Sequence, residues 1–371
     1  MKHSWRIGKI FGIDIKVDSS WLIIFILLSW VLSVTYFPQK FQDWPRPLYW
    51  FIGIITCLLL FASVLIHELA HSLVALKQGE KVRSITLFLL GGVAQITEEP
   101  KKPLREFTMA LVGPIASLSV AFLFLIFSFI LRGISEPLQA SASYLATINT
   151  VLALFNLFPG FPMDGGRVLR SIIWKVTGNL KKATQIASRI GQGFAFFLIF
   201  VGILQIFRAN LFGLWLIFIG WFLHSAAVRG YHQVIVEAML KGVRAEDLMT
   251  KNFETVTTGL SVQSLVDDYI LKKRERVFLV SDQGSLKGIV CLEDVKSTPS
   301  EKWSMTKVGE IMTPKEKLEA VSPDTDGSQI LNRITIKDIH QIPVMEGEKI
   351  AGIICRSDIL RFIQLRSELG V

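Results

Sequence analysis

The chain has 371 residues, of which 51% are hydrophobic and only 19% are charged. A soluble domain carries about 25% charged residues, so this composition indicates that much of the chain lies in lipid. The net charge of +9 could suggest nucleic acid, but the basic residues fall in short loops between apolar runs, and we expect no nucleic-acid partner. The cysteines, Cys57, Cys291 and Cys355, show neither a metal-binding spacing nor a disulfide framework.

The N-terminal part of the chain predicts a short strand followed by two spans. Ile13, Ile15 and Val17 alternate with polar residues, which is typical of a strand, and we expect this strand at the membrane surface. The stretch 48–66 carries no charge and is long enough to cross a bilayer as a helix. Six spans are predicted in all, over residues 21–37, 48–76, 107–131, 138–163, 190–207 and 209–228.

The second span contains the motif His67-Glu68-Leu69-Ala70-His71. On a helix, His67 and His71 lie on one face, so two imidazoles can bind one metal ion while Glu68 acts on a water molecule beside it. The same pattern occurs by chance on soluble helices as a surface charge pattern. Inside an apolar span, however, ionisable side chains are costly and usually mark a functional site. The sequence therefore predicts a metal site inside the bilayer, near one face.

The loop between the second and third spans, residues 77–106, has mixed character. Its apolar segment 85–96 contains Gly91 and Gly92 and is too short to span a membrane. It predicts a β-hairpin or re-entrant segment packed against the helices, whose strand edge could pair with an extended peptide. A membrane-surface hairpin with no role in substrate binding is the alternative.

The fourth span is interrupted near its end by prolines and glycines between Asn156 and Gly166. These residues stop a regular helix, so we expect the chain to unwind where it presents Asn156 and Asp164. Asp164 could simply cap the next helix. Beside a histidine pair, however, its carboxylate could complete a metal site with one open tetrahedral position, which is typical of catalytic zinc.

The distribution of basic residues predicts the orientation in the membrane. Lysines and arginines concentrate in the segments 1–18, 77–105 and 167–189, and the last of these is expected to lie as an amphipathic segment on the membrane surface. With six spans, the positive-inside rule places both termini in the cytoplasm and the metal toward the cytoplasmic leaflet of the cell membrane.

These motifs resemble the site-2 protease family of intramembrane zinc metalloproteases over nearly all of residues 1–230. The resemblance implies that one zinc ion is held by three side chains and that Glu68 is the catalytic base. The implied zinc ligands are His67, His71 and Asp164.

The resemblance also extends to residues around the metal site. It implies that Asn156 positions the substrate or stabilises the oxyanion, and that the stretch around Gly91 and Gly92 is a membrane-embedded hairpin. The chain departs from the family at Ser117, where many members carry Asn after a Gly-Pro pair, so no polar role is carried over to Ser117. The Gly-Pro segment itself is expected to allow close helix packing.

Residues 241–371 form a second domain with an internal duplication. Residues 247–250 recur as 310–313, and residues 288–294 recur as 352–358. The repeated unit predicts a helix, two strands and a helix in each copy, with strand pairs over 277–280 with 286–291 and 341–345 with 350–355.

The two copies, 241–300 and 304–371, resemble a tandem CBS pair, a module that often binds adenine nucleotides. The resemblance implies that Asp294 and Asp358 bind the ribose hydroxyls. Cysteines replace the Ser or Thr of the motif, and a cysteine is a much weaker hydrogen-bond donor. A CBS pair that is structural or only dimerises the chain is the alternative.

The predicted architecture is an α-helical polytopic membrane domain, residues 1–232, with about six transmembrane helices and a re-entrant β-hairpin, followed by a cytoplasmic α/β tandem CBS domain. The resemblance implies hydrolysis of peptide bonds within or next to a transmembrane segment of another membrane protein, regulated through the CBS pair. A CBS-gated zinc transporter or metal sensor is the alternative, but it does not account for Glu68. The intact motif argues against a scaffold with an inactive site.

Overall fold

The computed structural model describes residues 4–89, 91–96, 102–251, 253–273, 275–337, 339, 341–347 and 349–369. Leu90, at the centre of the predicted hairpin, and the last two residues of the predicted second CBS copy lie outside the described residues. The chain divides into two compact units, Met1–His232 and Gln233–Val371. Each unit has its own hydrophobic core.

Six helices among the described residues are long and apolar enough to cross a membrane, as predicted. The first, Ser19–Lys40, passes through a π-helical turn, Leu32–Tyr36. The last two helices begin or end beyond the predicted spans because polar turns continue the same helices past their apolar runs. The helices are α1 (Ser19–Val31), α2 (Phe37–Lys40), α3 (Arg46–Lys77), α4 (Pro103–Ile130), α5 (Glu136–Asn156), α6 (Asp164–Thr177), α7 (Leu180–Phe207) and α8 (Phe212–Leu240).

The basic segment 167–189 is divided between α6 and α7. Gly178 ends α6 with a φ of +68°, in the left-handed region that glycine adopts most easily. The Asn179 side chain then accepts a hydrogen bond from the backbone N–H of Lys182 and caps α7. The second half of this segment therefore belongs to a long helix, and the buried Arg170 shows that α6 is not solvated around its whole circumference.

A four-stranded sheet packs against α3 in the order β1-β2-β3-β4. The strand predicted around Ile15 is confirmed, and so is the hairpin containing Gly91 and Gly92. β2 pairs with β3 in parallel, and the other pairs are antiparallel. The strands are β1 (Ser4–Ile10), β2 (Ile13–Asp18), β3 (Val82–Phe88) and β4 (Gly91–Ile96).

Buried side chains fix this sheet close to the histidine motif. Ile13, Ile15 and Ile85 form an apolar cluster with Leu65, just before the motif on α3, and Leu69, inside it. The alternation along β2 therefore sets which face of the sheet meets the helix. The sequence analysis missed β1 because a register shift between Arg6 and Gly8 breaks its alternation.

The C-terminal unit contains a four-stranded sheet, β5-β6-β7-β8, and a two-stranded sheet, β9-β10. Both predicted strand pairs are confirmed, as β6 with β7 and β9 with β10, each slightly longer than expected. The strands are β5 (Thr255–Val256), β6 (Val277–Asp282), β7 (Ser285–Cys291), β8 (Thr313–Pro314), β9 (Gln341–Glu346) and β10 (Lys349–Cys355).

Short helices surround these strands, and Phe278 and Ile342 lie in the centres of the two cores. The helices are α9 (Ala245–Leu248), α10 (Val262–Ser264), a π-helix (Leu265–Ile270), α11 (Leu271–Lys273), α12 (Leu292–Lys296), α13 (Val308–Ile311), α14 (Gly327–Lys337) and α15 (Arg356–Leu369). Two 3-10 turns cover Ser300–Lys302 and Lys315–Lys317.

Candidate metal centre

His67 and His71 lie one turn apart on the buried face of α3. Each residue is 5% exposed, and their Nε2 atoms are 3.2 Å apart. α3 is continuous through the motif because its proline lies in the first turn, where it does not break a helix. The helical period therefore directs both imidazoles toward one point.

Asp164 reaches the same point from the first residue of α6. Its Oδ2 atom lies 3.1 Å from Nε2 of His67 and 3.1 Å from Nε2 of His71. The proline-containing loop 157–163 ends α5 and starts a new helix with this carboxylate at its first position. Sequence reasoning grouped these three residues, and the structure brings their ligand atoms within 4.8 Å of one another.

Helix α4 holds the far side of each imidazole. The Nδ1 atom of His71 lies 2.6 Å from the carbonyl oxygen of Met109, and that of His67 lies 2.9 Å from Oγ of Ser117. A carbonyl oxygen only accepts, so Nδ1 of His71 carries the proton and Nε2 presents a lone pair. The Nε2 lone pair of His71, the Nε2 atom of His67 and a carboxylate oxygen then face one another, an arrangement that fits a divalent cation.

Gly113 provides the space at this point. A Cβ atom placed on Gly113 would lie 2.1 Å from Nε2 of His71 and 2.8 Å from Nε2 of His67. Any side chain at this position would therefore occupy the volume between the ligand atoms. The sequence analysis assigned this glycine to helix packing and missed its role in keeping the site open.

No polar role was carried over from the family to Ser117, and in the structure its hydroxyl contacts His67 directly. Met109, Gly113 and Ser117 recur every four residues on α4. A glycine and a hydroxyl at the same spacing as the two histidines of α3, within an apolar span, were the signal available in the sequence.

Glu68 lies beside the ligands and against strand β4. It is half-buried, and a Cβ atom on Gly92 would lie 2.5 Å from its Cγ. The neighbouring Gly91 has a φ of +134°, which strongly favours glycine. Gly92 thus lets the backbone of the hairpin approach the glutamate without an intervening side chain, and Gly91 adopts the backbone conformation that precedes it.

Asn156 is the last residue of α5 and is half-buried. α3 and α5 run side by side in the same direction, because Thr56 bonds to Ser141 at 2.7 Å and Ser63 bonds to Asn149 at 3.3 Å. Seven residues beyond Asn149, Asn156 lies about two helical turns further on. This register brings Asn156 level with the turn that carries His71.

In the C-terminal unit, the two aspartates of the predicted ribose motif cap their own helices. Oδ2 of Asp294 accepts hydrogen bonds from the backbone N–H and the thiol of Cys291, at 2.8 and 3.0 Å. Oδ2 of Asp358 accepts from the backbone N–H of Cys355 at 2.9 Å. Burial and the neighbouring carboxylates raise the pKa of each thiol to about 12, so both cysteines stay neutral donors at physiological pH.

Comparison with known proteins identifies the families that the sequence matches. The family model for peptidase family M50 matches residues 55–137 and 134–201, and that for the CBS domain matches residues 245–300 and 308–365. A Synechocystis sp. protein provisionally named zinc metalloprotease sll0528 is 36% identical over 370 residues, which cover 98% of this chain and 96% of the relative.

A curated relative and a solved structure from Methanocaldococcus jannaschii are also similar to this chain. Zinc metalloprotease MJ0392 is 34% identical over 374 residues, which cover 100% of this chain and 99% of the relative. The solved structure of a site-2 protease is 30% identical, with a TM-score of 0.43, and the match covers 61% of this chain and 94% of that one. The similarity over the whole sequence and the six apolar helices show that the chain is a multi-pass membrane protein of peptidase family M50, the site-2 protease family, with a C-terminal pair of CBS domains.

Proposed function

We propose that the protein is an intramembrane zinc metalloendopeptidase that cleaves another membrane protein within or next to a transmembrane segment. The observation that carries this proposal is the convergence of His67, His71 and Asp164 beside Glu68 within an apolar helical unit. The names of the two full-length relatives support the same activity.

The donor set suits zinc. Two imidazole nitrogens and one carboxylate oxygen leave one tetrahedral position open, as in catalytic zinc sites. A zinc ion bound by His67, His71 and Asp164 would supply Lewis acidity and make water a nucleophile at neutral pH. Met109 and Ser117 would orient the imidazole rings through their Nδ1 atoms.

In this proposal Glu68 is the general base. Its carboxylate takes a proton from the attacking water and delivers it to the nitrogen of the leaving amine. Glu68 follows His67 directly on α3, so a water molecule activated at the proposed ligands would lie within its reach. Asn156, on the turn level with His71, donates from its amide to the oxygen that becomes negative in the transition state.

Strand β4 is proposed to bind the substrate backbone. It is the last strand of the sheet order β1-β2-β3-β4, so its outer edge pairs with no other strand among the described residues. An extended peptide can add to such an edge through main-chain hydrogen bonds. A transmembrane helix hides its carbonyl groups, so the substrate must unwind locally, and the free edge of the strand whose Gly92 lies against Glu68 would hold the unwound segment.

The CBS pair is proposed to be a cytoplasmic regulatory module. The positive-inside pattern supports the cytoplasmic location of both termini. An adenine nucleotide bound at Asp294 or Asp358 would engage the carboxylate oxygen left over from helix capping. Dimerisation of the chain through this pair is the companion proposal.

The decisive experiment is co-expression with candidate single-span membrane proteins, with fragment sizes and bound metal measured in parallel. We expect Glu68→Gln to abolish cleavage and keep its zinc, and Asp164→Ala to abolish cleavage and bind zinc much more weakly through the two histidines alone. A fully active Glu68→Gln variant would discard the proposal. A zinc transporter or metal sensor would instead show zinc flux into proteoliposomes, or metal-dependent responses, without any fragment.

A further inference from the structure

A buried ion pair joins α4 to α6 close to the metal centre. Glu106 is fully buried and Arg170 is 3% exposed. Arg170 donates to Oε1 of Glu106 from both Nε and Nη2. Burying two charges is costly, and such pairs often add little to stability. The role of this pair is therefore better sought in the groups that it positions than in the stability that it adds.

The pair links two segments that position the proposed zinc ligands. Glu106 lies one turn before Met109, whose carbonyl faces His71. Arg170 lies on the helix that begins with Asp164. The guanidinium also covers the ring of Phe161 at 5.0 Å, in the loop that leads into Asp164. Arg170 thus belongs to the helix that follows the carboxylate ligand and contacts the loop that precedes it.

One face of α4 contacts both imidazoles and Arg170. Glu106, Met109, Gly113 and Ser117 follow one another at spacings of three or four residues, which places them on a single stripe of the helix. Met109 and Ser117 touch the two imidazoles directly. Asp164 has no corresponding direct contact with α4 among the hydrogen bonds of the described residues, and the Glu106–Arg170 pair supplies an indirect one.

We propose that Glu106 and Arg170 are positioning residues that hold the Asp164 carboxylate against the two imidazoles. The inference rests on the proposed metal site and deepens it, because it assigns the placement of the third ligand to a pair outside the recognised motifs. The pair affects metal binding through Asp164 and not through the histidines.

A double-mutant cycle tests this route. Zinc affinity of the purified full chain is measured by chelator competition for wild type, Glu106→Gln, Asp164→Ala and the double variant. Loss of a group that orients a ligand typically weakens metal binding by about 10- to 100-fold. We expect Glu106→Gln to weaken zinc binding by about tenfold in the wild-type background and to change it less than about twofold beside Asp164→Ala. Equal losses in both backgrounds would overturn the inference.

Two further variants separate positioning from folding and from net charge. Arg170→Lys keeps the charge but loses the guanidinium that donates from two nitrogens. If Glu106→Gln fails to fold, Arg170→Lys should weaken zinc binding when Asp164 is present and change it little beside Asp164→Ala. Lys175→Gln removes an exposed charge from the same helix and should leave zinc affinity unchanged. The absorption spectrum of the cobalt-substituted Glu106→Gln variant should shift toward that of Asp164→Ala. A wild-type-like spectrum would count against the inference, whereas a wild-type chain that binds no metal would remove the proposed function itself.

Discussion

The hydroxyl of Ser117 lies 2.9 Å from Nδ1 of His67, on the side of the ring opposite the other two proposed ligands. His71 has the equivalent contact with a backbone carbonyl, which cannot be removed by substitution. The two histidines are therefore oriented by different chemistry, and only one of the two supports depends on a side chain. Mutagenesis can test that support alone.

We expect Ser117→Ala to weaken zinc binding by about tenfold, because His67 would lose the group that fixes its ring and its tautomer. Chelator competition on the purified chain measures this change. Ser119→Ala is the matched control, since that hydroxyl is exposed and bonds to the carbonyl of Ile115 within the same helix. Equal affinities in the Ser117 variant and the wild type would show that the hydroxyl does not orient His67.

Gly113→Ala should abolish metal binding while the fold persists. The added methyl group would lie 2.1 Å from Nε2 of His71, so either the ring or α4 must move. Metal content by mass spectrometry and helicity by circular dichroism give the two readouts. Gly193→Ala is the control, because its Cβ meets nothing within 4 Å. A Gly113 variant with full zinc content would mean that the space at this glycine is not part of the site.

Gly92→Ala should reduce cleavage but leave zinc binding nearly unchanged. The new Cβ would lie 2.5 Å from Cγ of Glu68, and its three nearest atoms all belong to Glu68 and none to the proposed zinc ligands. Cleavage of a co-expressed substrate and metal content should therefore separate, as they do for Glu68→Gln. In β1, Gly8→Ala adds a methyl group into open space and serves as the control. If zinc and activity fell together, the hairpin would act on the ligands and not on Glu68.

The sequence predicted the spans, the hairpin and the grouping of His67, His71 and Asp164 because each leaves a local signal. Uncharged runs must be helical in lipid, and ionisable residues within them need partners. The motif on α3 and the loop before Asp164 both place ionisable residues within apolar runs. Their contact could therefore be predicted without a structure.

The supports of these residues leave weaker signals. Ser117 and Gly113 look like ordinary small residues of a transmembrane helix, and their role appears only when α4 is placed against α3. Glu106 and Arg170 are far apart in the chain, and each looks like an interfacial charge near a span. Their pairing depends on tertiary contacts that local patterns do not encode.

Capping of CBS helices by Asp294 and Asp358 leads to a final prediction about the C-terminal unit. Asp294→Ala should lower its unfolding free energy by about 1 kcal/mol, because one capping contact of this kind is typically worth about 0.3–1.5 kcal/mol. Urea unfolding of the full chain, followed by hydrogen exchange of peptides from the C-terminal unit, would report this change. Asp324→Ala is the control, since its side chain is 81% exposed. Nucleotide binding separates the two roles of Asp294: if it only caps the helix, calorimetric titration with ATP or AMP should give the same result for Asp294→Ala and the wild type. A loss of nucleotide affinity larger than the loss of stability would assign the carboxylate to ribose binding.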